Sequence, residues 1–171
     1  MNLSLAVNME GATSANGSAP SVNPNLLTKT EQLDAAAWVK TNCTVSANST
    51  ADPLGGRTAD TVDLSFGPGA FVSQTSSVSC ATATGTSIVA LSTSMTRQSV
   101  AGSIDGSPYT WSLWISDPAG SDVQLRMSVV GGFAAVSVRD VGDGASPACW
   151  GAKLEVGSVA TGDASNYGAV S

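Results

Sequence analysis

Tyr109-Thr110-Trp111-Ser112-Leu113-Trp114-Ile115-Ser116 alternates apolar and polar side chains, and a period of two over this length reads as a β-strand. Successive side chains of a strand point to opposite faces, so Tyr109, Trp111, Leu113 and Ile115 share an apolar face suited to a core. Trp114 then stands on the other face among Thr110, Ser112 and Ser116. A lone Trp there calls for a partner: a second layer of the same chain, a neighbouring subunit, or a ligand. An aromatic face can stack on a sugar ring, which makes Trp114 the candidate glycan or subunit contact.

Outward from this strand the chain repeats the pattern. Further strands are expected at Cys43–Ala47, Thr58–Ser65, Ala70–Ser79, Thr86–Ser92, Asp122–Val130, Phe133–Arg139 and Trp150–Val156. Between them lie Asp52-Pro53-Leu54-Gly55-Gly56, Gly67-Pro68-Gly69, Asp105-Gly106-Ser107-Pro108, Asp117-Pro118-Ala119-Gly120, Gly131-Gly132 and Gly142-Asp143-Gly144, all turn-forming runs. Val130-Gly131-Gly132-Phe133 reads as a tight hairpin. One segment departs from the pattern. Thr28-Lys29-Thr30-Glu31 offers a capping box, with Leu33, Ala36, Ala37 and Trp38 at helical spacing behind it, and predicts one short helix or helical turn.

Many short strands with frequent turns predict an all-β chain: a single antiparallel jelly-roll β-sandwich over residues 25–171 with at most one short helix. Residues 8–24 are rich in Asn, Gly, Ser, Ala and Thr and bury too little apolar surface to offset their ordering entropy, so 1–24 reads as an arm. Leu3, Leu5 and Val7 alternate with polar residues, and as an extended strand they are the candidate partner-binding residues, able to add to the edge of a partner's sheet.

Composition excludes several functions. Only 12% of residues are charged and 42% are hydrophobic, so Ser, Thr, Asn and Gly must coat the surface. The net charge of −6, with seven basic residues scattered along the chain, argues against nucleic acid. The same field repels anionic lipid, and no apolar run approaches the roughly 20 residues of a spanning helix. No Lys or Arg precedes Lys29, so a secretory signal's basic region is missing and synthesis in a cytosol is expected. Cys43, Cys80 and Cys149 make an odd count with no C-x-x-C spacing and read as small buried residues.

The chain has no histidine, which removes the commonest general base, the commonest metal ligand and the middle member of a catalytic triad. No zinc or phosphate-loop motif is present. Most acids sit in turns, as at Asp52, Asp105, Asp117, Asp143 and Asp163, where Asp bonds backbone N–H groups. No enzyme activity is expected.

Four stretches resemble one family. Trp150-Gly151-Ala152-Lys153-Leu154-Glu155-Val156-Gly157-Ser158-Val159-Ala160-Thr161 is similar to the Trp-Gly-Ala-Gln-Leu-Glu-x-Gly-x-x-Ala-Thr segment that closes carbohydrate-binding-module-like jelly rolls of bacteriophage head-fibre, tail-fibre and related virion proteins. Asn25-Leu26-Leu27-Thr28 with Trp38, Ala51–Asp60 with its Pro-x-Gly turn and Thr58-Ala59-Asp60, and Tyr109–Trp114 resemble the family's earlier pieces in the same order. Lys153 departs from the pattern, and Gly162-Asp163-Ala164-Ser165-Asn166-Tyr167-Gly168 replaces the usual aromatic tail, with Tyr167 in the aromatic's place.

The resemblance implies a structural protein of the virion exterior, synthesised in the host cytoplasm: a capsid decoration, cement or head-fibre protein that docks on the major capsid protein or another virion protein. A homo-oligomer is expected, with a trimer fitting the three-fold sites of capsid lattices. The alternative is a carbohydrate-binding receptor-recognition module of a tail fibre or tail spike, with Trp114 and Tyr167 at the glycan. No cofactor is implied beyond a structural calcium, for which Gly142-Asp143-Gly144 or Asp163 would supply oxygens.

Overall fold

A computed structural model describes residues 22–67 and 69–171. Leu3, Leu5 and Val7 lie outside the described residues. Among the described residues ten antiparallel strands form: β1 (Val39–Thr41), β2 (Thr44–Thr50), β3 (Ala59–Asp63), β4 (Phe71–Ser79), β5 (Ala83–Ala90), β6 (Thr96–Ile104), β7 (Ser107–Ser116), β8 (Asp122–Val130), β9 (Phe133–Asp140) and β10 (Ala148–Val156). The chain is an all-β sandwich. One layer runs β1-β4-β9-β8-β5 and the other β6-β7-β10-β3-β2, joined through a short β5·β6 pairing into one continuous ten-stranded order. The pairs β3·β10, β4·β9, β5·β8 and β6·β7 are nested in sequence, as in a long hairpin ribbon folded over on itself.

Where the layers join, backbones must come very close. A Cβ at Gly102 would lie 2.1 Å from the Thr84 carbonyl oxygen and 2.9 Å from Gly85 Cα, so only glycine fits the bend. Two turns are of the primed hairpin type that needs positive φ at both central residues. Asp105 and Gly106 (φ 46° and 80°) join β6 to β7, and Gly131 and Gly132 (φ 60° and 83°) join β8 to β9 as expected from the sequence.

The core fills the space between the layers. Val62, Leu113, Ile115, Val123, Leu125, Val138 and Leu154 are wholly buried there, each worth about 1.5–3 kcal/mol on the scale of apolar transfer. Trp38 closes one end against Trp111, ring centroids 6.4 Å apart, and its indole N–H donates to the Lys29 carbonyl at 3.0 Å.

Of the short helix or helical turn expected after Thr28, turns form and no regular helix does among the described residues. Residues 29–38 make three successive turns, with Gln32, Ala35 and Trp38 N–H groups donating to the carbonyls of Lys29, Gln32 and Ala35. The capping residues are engaged elsewhere. Lys29 has a φ of 50°, Thr30 bonds the backbone of Val170 in both directions, and Glu31 accepts from Tyr167. Two strands were absent from the sequence reading, β1 and β6; the first lies just past the segment read as helical and pairs with β4 over three residues.

Candidate functional site

Trp114 and Tyr167, the two candidate contacts within the described residues, come together on the outer face of the β6-β7-β10-β3-β2 layer. Trp114 lies 5.2 Å from Tyr167 and 5.5 Å from Trp150 between ring centroids, edge to face in each case, and Trp150 and Tyr167 are 5.2 Å apart. The three rings are 7%, 2% and 1% exposed. The partner that Trp114 requires is therefore supplied by its own chain. In the described chain the ring faces of Trp114 and Tyr167, expected as a glycan or subunit contact, are thus covered by one another and by Trp150.

A bulge in β10 builds this arrangement. Pairing of β10 with β7 is regular up to Trp150↔Trp114 and resumes at Lys153↔Ser112. Gly151 occupies the extra position with φ 64°, the left-handed conformation that such bulges assign to glycine. A Cβ there would lie 2.8 Å from Trp114 Cε3 and 3.3 Å from Tyr167 Cζ. The bulge also resets the alternation: Cys149, Ala152 and Leu154 enter the core, while Trp150, Lys153 and Glu155 point to the outer face. The sequence signal was a glycine inside an otherwise regular strand.

On that face the segment after Gly157 folds back as a strap. Lys153 and Glu155 form an ion pair with both side chains fully buried beneath it. Thr161 ties the strap down. Its N–H and hydroxyl donate to the two oxygens of Glu155, and its carbonyl and hydroxyl accept from Lys153 Nζ at 3.1 and 3.0 Å. Arg97 lies over the Trp114 ring, 4.6 Å from its centroid, and donates to the carbonyls of Thr161 and Gly162 and to Ser112 Oγ. Burial holds the Arg97 guanidinium below its ordinary pKa, opposed by Glu155 and Asp163. The Tyr167 hydroxyl is pushed up by burial and by Glu31, stays protonated, and donates to Glu31 Oε1 at 2.9 Å. The strap covers this face, and Lys153, Glu155 and Thr161 are committed to one another, while the buried Arg97 Nε has no partner among the described residues.

The turn acids play the backbone-bonding role expected of them. Asp52 accepts from the N–H groups of Leu54, Gly56 and Thr58, and Asp163 from Ser165. Asp143 accepts from the Asp122 N–H at 3.0 Å. No group of three acids or thiols suited to a metal ion occurs among the described residues. No helix there is long and apolar enough to cross a membrane.

The other outer face, on β1-β4-β9-β8-β5, has no covering strap in the described chain. Cross-strand register places Val39, Ser73, Ser137, Arg126 and Thr86 in one row, and Thr41, Phe71, Arg139, Gln124 and Ile88 in the next. Arg139 lies over the Phe71 ring at 4.3 Å from its centroid. Burial and the positive charge of Arg126 both lower the Arg139 pKa. Ser137 is 4% exposed, and its hydroxyl has no hydrogen-bond partner among the described residues.

Comparison with known proteins gives no relative: no protein-family model, curated protein or solved structure matches the chain.

Proposed function

We propose that the chain is a structural protein of a bacteriophage virion, a capsid decoration, cement or head-fibre protein that docks on the shell and stabilises it or mediates surface adhesion. One observation carries the reading: the four stretches that resemble phage virion jelly rolls meet at the closing strand. Asn25 bonds β10 through Ala152 O and Leu154 N, and Leu26 N–H donates to Leu154 O. Thr58 Oγ1 accepts from the Trp150 indole at 2.9 Å, and Ala59 packs against that ring. The Tyr109–Ser116 stretch pairs with β10 along its length. Residues separated by more than a hundred positions thus serve one local structure, which supports reading the resemblance as one of fold and not of scattered words.

The docking surface follows from exposure. Val130 and Phe133, paired beside the Gly131-Gly132 turn, are 52% and 41% exposed and offer an apolar tip to the shell or to a second copy. Among the described residues the outer edge of β2, seven residues long, pairs with no strand, and a neighbour's Leu3–Val7 arm would add there. Electron cryo-microscopy of the virion tests the proposal. Density for this sandwich repeated over the icosahedral shell is the expected result; density confined to the tail would overturn it in favour of a receptor-recognition module.

A further inference from the structure

From the groove beside the strap we infer that Leu3–Val7, the alternating segment of the arm, docks on its own chain. Val22, Val159 and Ala160 receive Leu3, Leu5 and Val7, and the docked arm is withheld from other copies until they crowd together.

The groove is apolar and formed. Its volume is about 460 Å³, within the range of binding clefts, and its apolar side chains are Val22, Val159 and Ala160. Val159 is 70% exposed, more than any other large apolar residue among those described, so covering it removes apolar surface from water.

The polar side chains of the groove ask for no polar ligand. Asp163 Oδ1 accepts from the N–H and hydroxyl of Ser165, and Asn166 Oδ1 accepts from the Asp163 N–H. The Thr161 hydroxyl is shared among Glu155, Lys153 and Asn23. The backbone differs. No N–H or carbonyl of Ser158, Val159 or Ala160 bonds to another described residue. An added peptide finds main-chain partners along this stretch while every second side chain meets the apolar wall. Leu3-Ser4-Leu5-Ala6-Val7 has that spacing.

The root of the arm decides between its own chain and a neighbour. Asn23 N–H donates to Thr161 Oγ1 at 3.0 Å and Asn23 Nδ2 to the Val156 carbonyl at 2.8 Å, so the chain is pinned at the groove where residues 1–21 join it. Residues 8–21 separate Val7 from Val22, and a Ser-, Ala-, Gly- and Asn-rich tether of that length spans about 20 Å on average. The groove it must reach begins at Val22 itself. Short tethers hold a segment at roughly millimolar local concentration, above that of any other copy in dilute solution. Where copies crowd on a shell that advantage is lost, and the arm passes to the β2 edge of a neighbour. This last step rests on the docking reading above; the contact within one chain does not.

Nuclear magnetic resonance of the full chain at about 50 μM, far below the millimolar local concentration, tests it. Methyl contacts of Leu3, Leu5 and Val7 with Val22 and Val159 are expected, and they stay within one chain when isotope-labelled and unlabelled chains are mixed. Val159→Ser should weaken docking about tenfold, read from the shifts of residues 3–7. Val159 lies outside the core, so the unfolding curve of that variant should match the parent's. Leu3→Ser, Leu5→Ser and Val7→Ser together should move the amide signals of residues 22 and 159–162. The inference is overturned by random-coil shifts over residues 3–7, by methyl contacts that run only between chains, by arm contacts with another surface, or by groove signals that the arm substitutions leave in place. Virion density on the tail would sink the shell reading and leave this result untouched.

Discussion

Replacing Gly151 with alanine tests whether the β10 bulge and the rings above it are built as one unit. The residue has φ 64°, and an added Cβ would sit 2.8 and 3.1 Å from two Trp114 ring carbons and 3.3 Å from Tyr167 Cζ. The left-handed conformation costs a non-glycine residue about 1–2 kcal/mol. The added methyl also meets aromatic rings that are fixed on every side, and overpacking of this kind costs a further 1–3 kcal/mol or so. Gly144→Ala provides the control, since Gly144 has nearly the same φ, 63°, but its nearest neighbour would be 3.7 Å away, an ordinary contact. In a domain of this size 1 kcal/mol moves the melting temperature by about 2–4 °C. Gly144→Ala should therefore lower Tm by roughly 2–8 °C and Gly151→Ala by roughly 4–20 °C. Thermal unfolding followed by tryptophan fluorescence measures both. A Gly151→Ala loss no larger than the Gly144→Ala loss would refute the packing account and leave backbone strain alone.

Further outcomes are expected. Lys153→Met strands Glu155 in a buried site and should cost about 3–5 kcal/mol, whereas Lys153→Met with Glu155→Leu should recover a large part of the loss, as read from chemical denaturation. Tyr167→Phe removes the bond to Glu31 and should cost about 1–3 kcal/mol with the rings still packed, which near-ultraviolet circular dichroism reports. Burial raises the Asp52 carboxyl but the hydrogen bonds from Thr58, Leu54 and Gly56 outweigh it, so its folded pKa is depressed. Its stabilising effect is then complete above about pH 4 and lost as pH falls through the folded value; Asp52→Asn should destabilise at pH 7 and flatten that part of the acid limb. Burial pushes the Cys149 thiol up, so iodoacetamide at pH 8 should label half-buried Cys43 in the native chain and reach Cys149 only on unfolding.

Alternating segments were legible because one face of each strand meets the core: Trp111, Leu113 and Ile115 in β7 and Leu125 and Met127 in β8 obey the period directly. β6 escaped notice because its core-facing positions are Gln98, Val100, Gly102 and Ile104, and the glycine required at the bend interrupts the apolar run. Its presence was encoded one step away, since Asp105-Gly106 before β7 is a two-residue hairpin turn and needs a preceding strand. The segment after Thr28 stops at successive turns because tertiary contacts with Val170 and Tyr167 outbid the local caps at Thr28–Glu31. At the candidate site, alternation correctly set Trp114 apart from the core. Covering it required the strap, which carries no periodicity, and the bulge at Gly151, which turns Lys153 and Glu155 to that side. The open-face arginines went unread because Arg126 and Arg139 become neighbours only through the β8·β9 register.

The strap gives the molecule a front and a back. With one outer surface sealed by its own chain and the other uncovered among the described residues, any array of copies that exposes the Arg126 and Arg139 surface must be laid down through the rim or the sealed side. Each copy is then oriented like a tile with a single glazed side, and a mixed, two-way arrangement would waste half of the exposed cationic surface.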